Sequence, residues 1–178
     1  WRLKLSSDYF EIFSMVVGWQ VDQISLDVSY RKLQQEFHPD RYASQGDVER
    51  RLAVQAASLI NQAYETLKSP LKRAQYLLEL KKIDASQDSH ITHDGVFLMA
   101  QIQLREQLSE VRDNADPFAA LEQLRIGVEQ TFSALQDRFA SEYQSDNDSD
   151  AFNTVTKMQF SSKLLYEIQQ LEADLEDE

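Results

Sequence analysis

The chain has 178 residues, 42% of them hydrophobic, with 4 Gly, 3 Pro, no Cys and a formal net charge of −12. That length suits one ordinary domain or two small ones, and the scarcity of Gly and Pro beside abundant Leu, Gln, Glu and Ala predicts an all-α protein. Without cysteine there is no disulfide, no thiolate metal site, no cysteine nucleophile and no iron–sulfur cluster held on the chain's own thiolates.

The charge is unevenly spread. Residues 1–84 carry 12 Lys/Arg against 11 Asp/Glu, whereas residues 85–178 carry 6 against 19. A change of this size predicts two modules with different partners. The acidic half would repel phosphate, so nucleic acid is not an expected partner. No apolar run approaches the roughly 20 residues needed to span a bilayer, and Trp1 to Ser7 lacks a signal-peptide hydrophobic region. The expectation is a soluble, cytoplasmic protein with no membrane partner.

In chain order, Asp8 precedes Tyr9, Phe10, Ile12 and Phe13 and can cap a short first helix. Asp22 can cap a second helix running to about Phe37. There Leu26, Tyr30, Leu33 and Phe37 recur at spacings of 4, 3 and 4, which makes one buried stripe. Arg31, Lys32, Gln34 and Gln35 fall on the solvent side. His38-Pro39-Asp40 follows, and the proline should stop the helix, because it disfavours helical geometry in the residue before it. A loop then runs through Arg41 to Gly46. A long helix is predicted from about Val48 to Lys68, with Ala53, Ala57, Ile60, Tyr64 and Leu67 inward. Ser69-Pro70 ends it, and a short helix from Leu71 to Leu80 completes the first half. Two long helices joined by a loop make an antiparallel hairpin.

Residues 81–93 are polar and predict a boundary, dividing the chain into residues 1–80, a linker, and residues 94–178. Three helical patterns follow, near 94–112, 117–143 and 150–175, and together predict an antiparallel bundle. The second carries Phe118, Leu121, Leu124, Val128, Phe132, Leu135 and Phe139 as a coiled-coil-like seam. The third carries Val155, Met158, Leu165, Ile168, Leu171 and Leu175, and Asp146, Asp148 and Asp150 fall in the turn between the two.

The order DYFEIF, YRKLQQEFHPDRY, INQAYETLKSPLKRAQY, from Asp8 to Tyr76, resembles a J domain. Taken alone, a turn tripeptide usually just ends a helix. The chemical case for more is that Asp40 offers a carboxylate on a fixed loop, suited to a charge-assisted bond with a partner arginine. Arg31, Lys32 and Arg41 can meet an acidic patch and speed the encounter. The J-domain resemblance implies that His38, Pro39 and Asp40, with those three cations, bind a DnaK/HscA-class ATPase chaperone. Substrate arrival would thereby be coupled to ATP hydrolysis in that partner. Glu36 dilutes the basic face.

Neither a Gly/Phe-rich linker nor CxxCxGxG zinc repeats follow, and the acidic three-helix module resembles instead the HscB family, co-chaperones of iron–sulfur cluster assembly. Its most telling segment is FLMAQIQLREQLSEV, residues 97–111. At about 100° per residue, Phe97, Leu104, Leu108 and Val111 share one face, while Leu98, Met99, Ile102, Glu106 and Glu110 collect on another. One stripe suffices for a bundle core. The second either packs on the first module or stays exposed for a protein partner, and the pattern alone leaves both open. The resemblance implies that Leu98, Met99, Ile102, Glu106, Glu110 and Phe160 form the surface that takes an IscU-type iron–sulfur scaffold protein. Gln103 stands where the family leads one to expect an acidic residue. The absence of an Arg-rich transit segment and of the cysteine-rich zinc motif of animal relatives favours a bacterial source.

Three other readings compete. A hydrolase using His38 and Asp40 would need a pocket and further partners that no motif supplies, so no enzyme activity is expected. A metal site at His90, His93 and Asp94 would lack the usual full ligand set, and neither metal nor other cofactor is expected. A J-domain co-chaperone with a different client shares the first half and differs only in the second-half surface.

Overall fold

The computed structural model describes residues 4–86 and 91–177, and among them there is no strand. The chain forms two compact units, Trp1–Lys81 and Lys82–Glu178. No helix among the described residues is long and apolar enough to cross a membrane.

In the first unit, α1 (Tyr9–Ile12) begins where the Asp8 carboxylate accepts from the Glu11 N–H at 2.8 Å. α2 (Gln23–Glu36) begins the same way, with Asp22 accepting from the Ile24 N–H at 3.1 Å. A cap of this kind satisfies a backbone donor that the helix itself leaves orphaned. Leu26 and Phe37 are buried and Tyr30 and Leu33 half-buried, so the predicted stripe faces inward.

α3 (Asp47–Lys68) buries Ala53, Ala56, Ile60, Ala63 and Leu67, at spacings of 3, 4, 3 and 4. The sequence pattern placed Ala57 and Tyr64 in that stripe, and both are only half-buried. Methyl groups fill the seam, and the tyrosine ring is left to its edge. There Tyr64 stacks on Tyr30 with ring centroids 3.9 Å apart and donates to Asp27 Oδ1 at 2.8 Å. Tyr30 in turn donates to Asn61 Oδ1 at 2.8 Å. This polar edge ties α2 to α3. The bonds from Tyr64 and then Gln23 hold the Asp27 carboxyl below the ordinary carboxylate range, because they favour its ionised form.

Ser69 ends α3 and caps α4 (Pro70–Leu80), accepting from the Lys72 N–H at 3.3 Å, with Pro70 in the first turn where its missing N–H costs nothing. The buried cation of this unit is Arg73. Its Nε donates to the Leu67 carbonyl at 2.9 Å and its Nη1 to the Trp19 carbonyl at 2.8 Å, with the guanidinium 4.8 Å from the Trp19 ring centroid. One side chain thus joins the end of α3, α4 and the α1–α2 connection. Removing it strands two carbonyls, so Arg73→Ala should cost about 3 kcal/mol in the first unit. The denaturant midpoint of that unit reads the loss, and a shift worth under about 1 kcal/mol would mean that water replaces the guanidinium adequately.

The chain turns at Lys82, whose φ is +67°. Ala85 and Thr92, within the polar stretch, are buried, and Gln159 Nε2 donates to the Ala85 carbonyl at 2.9 Å. Three helices follow: α5 (Gly95–Ser109), α6 (Pro117–Gln144) and α7 (Asp148–Glu176). Val111, Leu121, Leu124, Val128, Leu164 and Ile168 form one buried cluster, with Leu104, Leu108, Leu165, Leu171 and Leu175 packed against it.

Three details differ from the sequence pattern. Phe118 is 48% exposed. At about 100° per residue it points roughly 90° away from the line of Leu121, Leu124 and Val128, and Phe132, half-buried, strays less. On α7 it is Leu164 that is fully buried, with Leu165 at the margin. The acidic run belongs mostly to a helix start. Asp146 takes φ +53°, Asn147 caps α7, and Asp148 and Asp150 lie in its first turn, where the helix dipole favours negative charge.

Five of the six cations in residues 85–178 are spent on ion pairs: Arg105–Glu167 at 2.7 Å, Arg112–Asp174 at 3.8 Å, Arg125–Glu172 at 2.6 Å, Arg138–Glu142 at 2.7 Å and Lys157–Asp94 at 2.6 Å. The remaining carboxylates give this unit its negative surface.

Candidate functional sites

The loop after α2 begins with a short helical turn. Pro39–Tyr42 makes a 3-10 turn, capped by His38, whose Nδ1 accepts from the Asp40 N–H at 3.2 Å. Arg41 Nη1 reaches back to the Gln35 carbonyl at 3.1 Å, and the Tyr42 hydroxyl donates to the Glu36 carbonyl at 3.3 Å. Those carbonyls end α2 and would otherwise lack partners. Arg41 and Tyr42 therefore tie the loop to the helix, and His38 fixes the turn within it. Arg41 thus helps to fix the loop, which the sequence did not reveal.

The Asp40 side chain is 92% exposed, and its Oδ2 lies 3.6 Å from His38 Nδ1. Arg31 and Lys32 are exposed on α2, Pro39 beside Asp40. Ile24 and Val28, also exposed, share the outward side of α2 with Arg31 and extend it with apolar surface.

On α5, Phe97, Leu104 and Leu108 are half-buried and Val111, just beyond the helix, is buried. The second stripe is open to solvent at its centre. Met99 is 58% and Ile102 52% exposed, Glu106 and Glu110 are exposed, and Leu98 is half-buried. Phe160, half-buried on α7, meets Phe97 edge-on with centroids 5.8 Å apart. Glu106 and Glu110 stand four apart at the C-terminal end of α5, whose last turn holds no basic residue. Like charges at that spacing and negative charge at a helix C-terminus are both unfavourable. Local rules broken together are expected where a surface serves a partner.

Gln101 occupies the core stripe between Phe97 and Leu104, and sequence reasoning missed it because a polar residue does not score as core. It is buried, as is Ser161, and among the described residues Gln101 Oε1 and Ser161 Oγ have no hydrogen-bond partner. Of the residues considered for a metal, His93 is exposed, Asp94 is engaged by Lys157, and His90 lies outside the described residues.

Two family descriptions match this architecture in order: the DnaJ domain over residues 8–76 and the HSCB C-terminal oligomerisation domain over residues 93–169. The co-chaperone protein HscB homolog of Aeromonas salmonicida is 38% identical over 168 residues, 94% of this chain and 98% of that one. The chain belongs to the HscB family of J-domain co-chaperones. Solved members share its fold. Chaperone HscB from Vibrio cholerae is 36% identical with a TM-score of 0.85, covering 95% of this chain and 99% of the other. The human co-chaperone protein HscB is 27% identical with a TM-score of 0.87, covering 96% and 84%. The HscB fold accordingly accounts for both units, the J-domain hairpin and the acidic three-helix bundle.

Proposed function

We propose that this HscB-family protein activates the ATPase of a DnaK/HscA-class chaperone and delivers to it an IscU-type iron–sulfur scaffold. The observation that carries the first part is the Asp40 carboxylate, exposed on a loop that His38, Arg41 and Tyr42 hold rigid. A charged acceptor already fixed in place loses little entropy on meeting a partner arginine. His38, Pro39 and Asp40 form the tip of this surface, and Arg31 and Lys32 provide the long-range attraction to an acidic partner. Arg41 contributes chiefly by fixing the loop.

Leu98, Met99, Ile102, Glu106, Glu110 and Phe160 form the cargo surface in this reading. Met99 and Ile102 supply apolar area at the centre, and the two carboxylates at the rim set orientation. Separate surfaces let one molecule hold cargo and chaperone together, which raises the effective concentration of each for the other. Single-turnover ATP hydrolysis by the chaperone, with this protein and the scaffold added singly and together, tests the proposal. The expected rate with both exceeds the sum of the separate effects. Additive rates would refute delivery, and no effect of this protein alone would refute activation.

A further inference from the structure

The cargo face is carried by a helix of about four turns whose beginning has little apolar anchoring. Val96 and Met99 are exposed, and Phe97 is only half-buried. What holds this end is a polar and aromatic cluster spanning α5 and α7. Asp94 caps α5, its Oδ1 accepting from the Phe97 N–H at 3.1 Å, while its Oδ2 accepts from Lys157 Nζ at 2.6 Å. The Lys157 side chain is only 12% exposed, whereas that of Asp94 is 41% exposed, so the ammonium is sheltered and the carboxylate stays open to water. Lys157 Nζ also lies 5.4 Å from the centroid of the Phe97 ring, whose negative face attracts a cation. Phe160, three residues further along α7, closes the cluster against the same ring at 5.8 Å. One ammonium group therefore connects the cap of α5 to the aromatic pair.

We propose that Lys157 is a positioning residue for the cargo face, holding the first turn of α5 against α7 so that Met99 and Ile102 are presented in line with Phe160. Lys157 makes no contact with cargo in this scheme. It acts through Asp94 and Phe97. The Asp94 carboxyl is held below the ordinary carboxylate range, first by the Lys157 bond and then by the Phe97 N–H, as expected for an oxygen pair shared between a cation and a helix start. The inference rests on α5 being the scaffold-binding helix, and the experiment keeps the two claims apart.

In the full-length protein, Lys157→Met keeps the alkyl stem and removes the charge, and Lys157→Arg restores a cation. With Lys157→Met, amide exchange at Phe97 and Leu98 should rise about tenfold, as expected for loss of a charge-assisted bond, while amides of Val128 and Leu164 keep their protection. Calorimetric affinity for a purified IscU-type scaffold should fall about tenfold in step, since a face that must order on binding loses what preorganisation supplied. Lys157→Arg should recover most of both. Unchanged exchange at the start of α5, or unchanged scaffold affinity despite faster exchange, overturns the positioning role. Uniformly lost protection with Lys157→Met overturns it as well, by showing a merely structural residue. Met99→Ala/Ile102→Ala serves as the reference: if that variant binds scaffold normally, the assignment of α5 itself has failed.

Discussion

Asp40→Asn should leave the protein folded and weaken its activation of the partner chaperone on the order of a hundredfold, the scale expected when one member of a hydrogen-bonded charge pair at an interface is neutralised. The loop geometry explains why fold and function separate at this position. His38 caps the 3-10 turn through the backbone N–H of Asp40, not through its carboxylate, and the remaining ties run from Arg41 and Tyr42 to α2. Asparagine retains that N–H and nearly the same shape, so the turn keeps its cap. It removes the negative charge and exchanges one acceptor oxygen for an N–H donor. The thermal midpoint should stay unchanged, while single-turnover ATP hydrolysis by the chaperone returns close to its unstimulated rate. Full stimulation by Asp40→Asn would show that the carboxylate is not the activating group, and an altered midpoint would show that it has a structural role the loop geometry does not account for.

The fold was legible wherever a local signal carried it. Asp8 and Asp22 mark helix starts, and Ser69-Pro70 a helix end, that form where expected, because these signals are chemistry within three residues. Periodicity located the inward faces but not their exact line. On α3 the true stripe runs through Ala56 and Ala63, beside the predicted Ala57 and Tyr64. Neighbouring positions on a helix differ by only about 100°, and what decides between them is the size of the partner surface. Phe118 shows the same limit in another form: a large apolar residue in the first turn of α6 counts toward the seam in sequence, but its angle carries it outward.

The candidate sites divide in the same way. His38-Pro39-Asp40 was readable as a motif, and the α5 double stripe was readable as two faces. Hidden from sequence were the bonds joining residues far apart in the chain. Arg73 reaches Trp19 across 54 positions and Lys157 reaches Asp94 across 63. No spacing rule links such pairs, since both are made by tertiary packing. Gln101 is a different case: its position was implied by the 97–104 spacing, and its amide disguised it.

Of the six residues assigned to the cargo face, Met99 and Ile102 offer the cleanest test, and Met99→Ala/Ile102→Ala should weaken scaffold binding by about 3 kcal/mol, roughly two orders of magnitude in Kd. Both side chains are more than half exposed in the free protein, so truncating them removes little internal packing, and alanine is a good helix former. The loss should therefore appear in binding and hardly at all in stability. Phe160 behaves differently. Its ring packs edge-on against Phe97, so Phe160→Ala also removes an aromatic contact worth about 1 kcal/mol within the bundle. A variant combining Leu98, Met99 and Phe160 would lose affinity for two reasons at once. The exposed pair separates them: calorimetry against the scaffold should show the weakened Kd while chaperone activation without cargo keeps its wild-type rate. If affinity survives the double substitution, α5 presents its apolar centre to something other than the scaffold.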